Sequence, residues 1–359
     1  MPARRRLMLL ALAAVIALIV GVAIGAGAGD GESTGNVPAA TTPGQRAQRS
    51  AERLPLRAAV GQVLISSFDG TSAPDYIRRR LRERQTAGVI LFGQNASTRT
   101  GFRVIGRAVQ GVSGRSALVA VDQEGGEIRI LPFAPPVAAQ PQQGPPAAVR
   151  RQARAAGRSL RAAGVNVNLA PVADVAVGPT AALAGRAFPG DAEAVSARVR
   201  ASVRGLHDAG VAATAKHFPG LGGAVTNTDD GPATVDLLEG ELERRDLPPF
   251  RAAIAAHVPL IMLSHALYPA TDRHHIASQS HAIATDLLRD ELGFDGVTVT
   301  DSIEAQAVLD RSGVATAAER SLAAGADLIL MTGSGSWNQV YPRLLARARR
   351  DPTFRAQVR

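Results

Sequence analysis

The chain has 359 residues, 46% of them hydrophobic and 20% charged, with a formal net charge of +9 and no cysteine. Such a composition supports one large core or two ordinary domains. It excludes disulfides, thiolate metal sites, a cysteine nucleophile and a lipid-modified N-terminal cysteine. Aromatic residues make up only 4% and no run interleaves them with basic ones, which gives nucleic-acid binding little support.

In chain order, Arg4, Arg5 and Arg6 precede an uncharged apolar run over residues 7–29. A positive head before an apolar stretch of this length reads as a signal peptide or a membrane anchor, residues 1–29. The arginines stay inside by the positive-inside rule, so everything after Asp30 is expected outside the cytoplasm, secreted or anchored to the membrane. Residues 30–51, rich in Gly, Pro and Thr, have little to bury and read as a disordered linker. Residues 52–359 are then one folded domain.

Within that domain short apolar, β-branched runs recur at 62–68, 88–92, 117–121, 165–172, 211–218, 260–265, 297–300 and 328–331. Each is apolar nearly throughout, as strands buried on both faces must be. Helical patterns fall between most of them. The clearest begins at Asp191 as N-cap, carries Val195, Val199, Val203 and Leu206 on one face and stops near Gly210. A second runs through Ile283, Leu287, Leu288 and Leu292 to Gly293. A Pro/Gln-rich patch over 132–146 reads as a surface loop. The alternation predicts an α/β fold, a (β/α)₈ TIM barrel, with a doubly wound open sheet as the alternative. Asp122, Asp174, Lys216, His217, His265 and Asp301 all fall at or just after strand ends, which in a barrel form one rim.

The segments that carry chemistry lie on that rim. In KHFPGLGGAVTNTDDGPATV a strand ends in Lys216 and His217 and opens a polar loop reaching Asp229 and Asp230. Lys216 and His217 would donate hydrogen bonds to a polar ligand, unless Lys216 is paired with a barrel carboxylate for stability. In GFDGVTVTDSIEAQA, Asp301 ends a buried strand, where it can attack an anomeric carbon or cap the next helix. VDQEGG offers Asp122 and Glu124 on a turn, and GRAFPGD offers Arg186, whose planar fork suits a sugar substituent. His274, His275 and His281 lack metal-site spacing, and His207 and His257 read as helix-surface residues.

These segments, with NLAPVADV and AGADLIL, resemble glycoside hydrolase family 3, and in particular its single-domain β-N-acetylglucosaminidase branch. The resemblance implies a (β/α)₈ barrel, a retaining mechanism, a carbohydrate substrate containing N-acetylglucosamine, and no metal or organic cofactor. It implies Asp301 as nucleophile and Asp122, Arg186, Lys216 and His217 as substrate-binding residues. There are departures. Leu221 replaces a histidine usual in the branch, and the branch's Asp-Ser-His acid/base loop falls here on Asn227, Thr228 and Asp229. Asp229 is therefore the expected acid/base, with its pKa raised by burial or a neighbouring carboxylate. The implied activity is removal of terminal β-linked N-acetylglucosamine in peptidoglycan turnover. The alternatives are a β-glucosidase or β-xylosidase of the same family, or an inactive glycan-binding barrel.

Overall fold

The computed structural model describes residues 50–238 and 240–359. The expected signal or anchor segment lies outside these residues, as does most of the expected linker. Among the described residues, no helix is long and apolar enough to cross a membrane.

Eight parallel strands close a barrel in chain order: β1 Leu64–Ser66, β2 Gly88–Ile90, β3 Leu118–Val121, β4 Val167–Asn168, β5 Ala212–Phe218, β6 Leu260–Leu263, β7 Val297–Ser302 and β8 Leu328–Leu330. Every one of the apolar runs became a strand, most with ends trimmed by a few residues and the run at 297–300 extended to Ser302. The reason is two-sided burial: Val89, Val119 and Ile261 point out against the helices, whereas their neighbours Ile90, Ala120 and Met262 point into the barrel interior. Closure follows from β1 pairing β8, Leu64 opposite Ile329 and Ile65 opposite Leu330. The open-sheet alternative is thereby excluded.

A helix follows each strand: α1 Asp75–Arg82, α2 Arg99–Val112, α3 Pro146–Ala162, α4 Ala192–His207, α5 Leu247–Ile254, α6 Ala282–Glu291, α7 Val314–Ala323 and α8 Trp337–Arg350. Helix α4 starts where expected, because the Asp191 side chain accepts from the Ala194 N–H and satisfies one orphan donor of the first turn. Its buried stripe is Val195, Val199, Val203 and Leu206, and Gly210 turns the chain with φ of 71°. Arg80 of α1 lies across the seam from α8, its guanidinium 3.8 Å over the Trp337 ring and bonded to Asn338.

One loop departs from expectation. Residues 132–146 are not simply a surface excursion, because Gln140 and Gln143 are buried among them. The Gln140 amide exchanges hydrogen bonds with the Val172 backbone, and the Gln123 amide donates to the carbonyls of Leu131, Ala134 and Pro135. Buried glutamines replace the backbone partners that this proline-rich stretch cannot supply.

Candidate active site

The rim at the C-terminal ends of β3, β5 and β7 gathers the expected residues. Lys216, inside the last turn of β5, is only 2% exposed. Its Nζ lies 2.6 Å from Asp122 Oδ1 and 2.7 Å from Glu124 Oε1. Arg186 clamps the same Glu124 with two parallel bonds, Nε to Oε2 at 3.0 Å and Nη2 to Oε1 at 2.7 Å. Four charges thus alternate in one cluster, where removing Lys216 would cost Asp122 its partner and removing Glu124 would cost Arg186 its partner. Burial alone would raise the Glu124 pKa, but Lys216 and Arg186 overcome it and hold it down at about 2. Burial disfavours charge on Lys216 too, yet Asp122 and Glu124 raise its pKa above the usual lysine range.

The pairing of Lys216 with barrel carboxylates is therefore the observed arrangement. Asp122 and Arg186, with side chains 21% and 22% exposed, are the members of this cluster that still face solvent.

His217 is buried and oriented from behind. Its Nδ1 lies 2.8 Å from Asp174 Oδ2, while its backbone N–H and that of Leu221 both donate to the same carboxylate. Nε2 is left facing Asp301, 3.7 Å from Oδ2. Leu221, standing where the family resemblance implied a histidine, is packed into the core.

Asp301 ends β7 with its side chain 17% exposed. Its Oδ1 accepts from the Ser302 N–H at 2.8 Å, so it does not act as an ordinary helix cap. Burial would raise its pKa; His217, His265, Lys216 and the Ser302 N–H outweigh that and leave it below the usual aspartate range. His265 is fixed on both sides, Nδ1 against the Ser278 hydroxyl at 2.7 Å and Nε2 against the Ser302 carbonyl at 2.9 Å. Burial lowers the His265 pKa.

Asp229 rides on the loop after β5, exposed as a residue but with its carboxyl crowded by the rim. Loss of hydration beside the surrounding protein raises its pKa first, and the negative charge of Asp301 adds to it. The loop is tied down at both ends of its course. Val177 N–H donates to the Gly222 carbonyl and Ala182 N–H to the Ala224 carbonyl, while Gln306 and Ala307 N–H groups donate to the carbonyls of Asp229 and Thr228. Gly222 permits the first of these contacts, since a Cβ there would sit 2.1 Å from the Val175 carbonyl oxygen. Asn227 Oδ1 accepts from the Asp229 N–H at 3.3 Å, a short local turn that holds the residue's backbone.

All six residues expected on the rim are there. Glu124 stood in the sequence as a turn residue and proves to be the hub of the cation cluster. Asp174 and His265 were recognisable only as polar strand-end positions, and Ser278 gave no signal at all. His274, His275 and His281 are exposed, and among the described residues no group of three potential ligands could hold a metal ion.

Comparison with known proteins accords with this geometry. The family model of the glycosyl hydrolase family 3 N-terminal domain matches residues 55–347. A β-hexosaminidase of Stenotrophomonas maltophilia (strain K279a) is 35% identical over 280 residues, 75% of this chain and 83% of that protein. A relative from Arthroderma benhamiae, described as an uncharacterized secreted glycosyl hydrolase, is 33% identical over 76% of this chain and 81% of its own. The crystal structure of a β-N-acetylhexosaminidase from Beutenbergia cavernae superposes with a TM-score of 0.78 at 32% identity, covering 85% of this chain and 95% of that one. A closed parallel barrel, a rim of paired charges around Asp301 and a family match over most of the chain lead to one statement: the chain belongs to glycosyl hydrolase family 3 and is a glycosidase.

Proposed function

We propose that this glycosidase is an extracytoplasmic, retaining β-N-acetylhexosaminidase that removes terminal β-linked N-acetylglucosamine from cell-wall-type glycans during peptidoglycan turnover. The names of its relatives support the sugar, and the secreted relative together with the arginine-led apolar N-terminus supports the location. The observation that carries the mechanism is a divergence: neighbouring cations and a backbone N–H hold Asp301 below the ordinary aspartate pKa, while loss of hydration and then the charge of Asp301 hold Asp229 above it. Two carboxyl groups pushed apart in this way divide naturally into nucleophile and proton donor.

Asp301 attacks C1 of the sugar as the glycosidic C1–O bond breaks, and Asp229 gives its proton to the departing oxygen. The bond formed is an ester between C1 and the Asp301 carboxylate. Asp229, now ionised, takes a proton from water, whose oxygen attacks C1 and frees the Asp301 carboxylate. Two inversions return the original configuration. Asp122 and Arg186 contact sugar hydroxyl groups through their exposed edges, and Lys216 and His217 act from the buried side, one fixing Asp122 and the other facing Asp301.

Turnover of an aryl N-acetyl-β-glucosaminide, followed by NMR, should give the β-anomer first, and Asp301→Ala should lower kcat by about 10³-fold or more. Equal rates in the two proteins would remove Asp301 from the chemistry. A panel of aryl glycosides separates the β-glucosidase and β-xylosidase alternatives. The open position of Asp229 favours one further reading, an inactive barrel that only binds glycans. That reading predicts saturable muropeptide binding without turnover, and activity gained in Asp229→His.

A further inference from the structure

A groove of about 470 Å³ runs along the outside of the barrel between α3 and α4, remote from the rim described above. Arg150, Arg151 and Arg154 line it from α3, and Arg200 and Arg204 line it from α4, all five exposed. Asp208 is the one carboxylate along it among the described residues, and it is already bound by Arg150, through Nε at 3.1 Å and Nη2 at 2.9 Å. Arg151, Arg154, Arg200 and Arg204 have no ion-pair partner among the described residues.

Ordinary surface charges alternate in sign or stand apart. Four unpaired guanidinium groups facing one concavity repel one another through a partly screening solvent, and an anion bound among them gains from all four at once. Between them lie small residues, Ala197 and Ala201, so the floor admits a narrow chain rather than a bulky side chain. The i,i+3 spacing of Arg151 with Arg154, and the i,i+4 spacing of Arg200 with Arg204, set two rows about 5–6 Å in pitch. Such rows fall on alternate phosphates of an extended polyphosphate chain, and the planar guanidinium fork bonds two phosphate oxygens at once. A flat bilayer would meet the ridge tops and leave the concavity empty.

We infer that this groove binds a linear phosphate-bearing polyanion, which would tether the glycosidase beside its glycan while leaving the rim free. The probe is sodium polyphosphate, titrated calorimetrically into the full chain at low and at physiological ionic strength. Saturable binding is expected, weakened at least tenfold by Arg151→Glu combined with Arg200→Glu. Glycosidase activity should not change, because neither residue belongs to the rim. The control pair Arg103→Glu with Arg107→Glu makes the same charge change on α2 and should leave affinity within about twofold. Equal weakening by both pairs would reduce the effect to net charge and overturn the site. Polyphosphate that fails to bind, while vesicles of anionic phospholipid do, would overturn it as well and assign the patch to a membrane surface.

Discussion

Asp301 and Glu124 are both shielded carboxylates on one rim, and their surroundings treat them differently. Glu124 spends both oxygens on Arg186 and Lys216, so it has nothing left to offer a substrate. Asp301 spends one oxygen on a backbone N–H and keeps the other turned towards His217 and the opening. The first is a structural charge and the second is available for attack. Because the Glu124 pKa is depressed in the folded state, the unfolded chain binds its proton more readily. Its stabilisation is present above the unfolded value, roughly 4.3, and is lost as pH falls towards about 2. Glu124→Gln should therefore cost about 3 kcal/mol at neutral pH, since it leaves Arg186 without its carboxylate and Lys216 with Asp122 alone. It should also flatten the acid limb of stability in that window, read by urea denaturation at a series of pH values. Parallel acid limbs in the two proteins would show that Glu124 is not the group that titrates. Polar residues closing apolar strands made Lys216, His217 and Asp301 legible in the sequence. Their pairings were not legible, because Lys216 meets an aspartate 94 residues away and only closure of the barrel brings the two together.

At the scale of elements, the strands were readable because inward and outward faces are both apolar, and α4 because Asp191 and Gly210 bracket its stripe. Loops carry no such periodicity. The course of residues 222–231 is set by hydrogen bonds to segments following β4 and β7, so its placement is a tertiary property. The same holds for the buried glutamines of residues 132–146, whose composition alone pointed to solvent. In the proposed mechanism, pinning of the first loop would substitute for reach, since aspartate is shorter than the histidine implied by the family resemblance. Gly222→Ala should break that pinning, as its Cβ meets the Val175 carbonyl. A displacement of the loop by an ångström or so would lower kcat by about 10²-fold with the far-UV circular dichroism unchanged. Full kcat in that variant would mean that docking of the loop does not position the chemistry.

For the whole molecule, closure of eight strands in chain order turns the ends of β5 and β7 towards one opening. Alternating strands and helices made that closure predictable, and the rim followed from it. What composition and spacing left open was whether the loop aspartate would feel the strand aspartate. It does: loss of hydration raises the Asp229 pKa first, and the charge of Asp301 adds to it. The proposed mechanism needs Asp301 ionised and Asp229 protonated together. Activity should then rise with pH as Asp301 ionises, below the ordinary aspartate range, and fall as Asp229 loses its proton above that range. The most direct test is the pH profile of kcat/KM for the wild type and Asp229→Asn, using an aryl N-acetyl-β-glucosaminide with a poor leaving group. The account predicts a bell for the wild type, and for the variant a loss of about 10²–10⁴-fold with the alkaline limb abolished. An Asp229→Asn protein with undiminished activity and the same two limbs would contradict it.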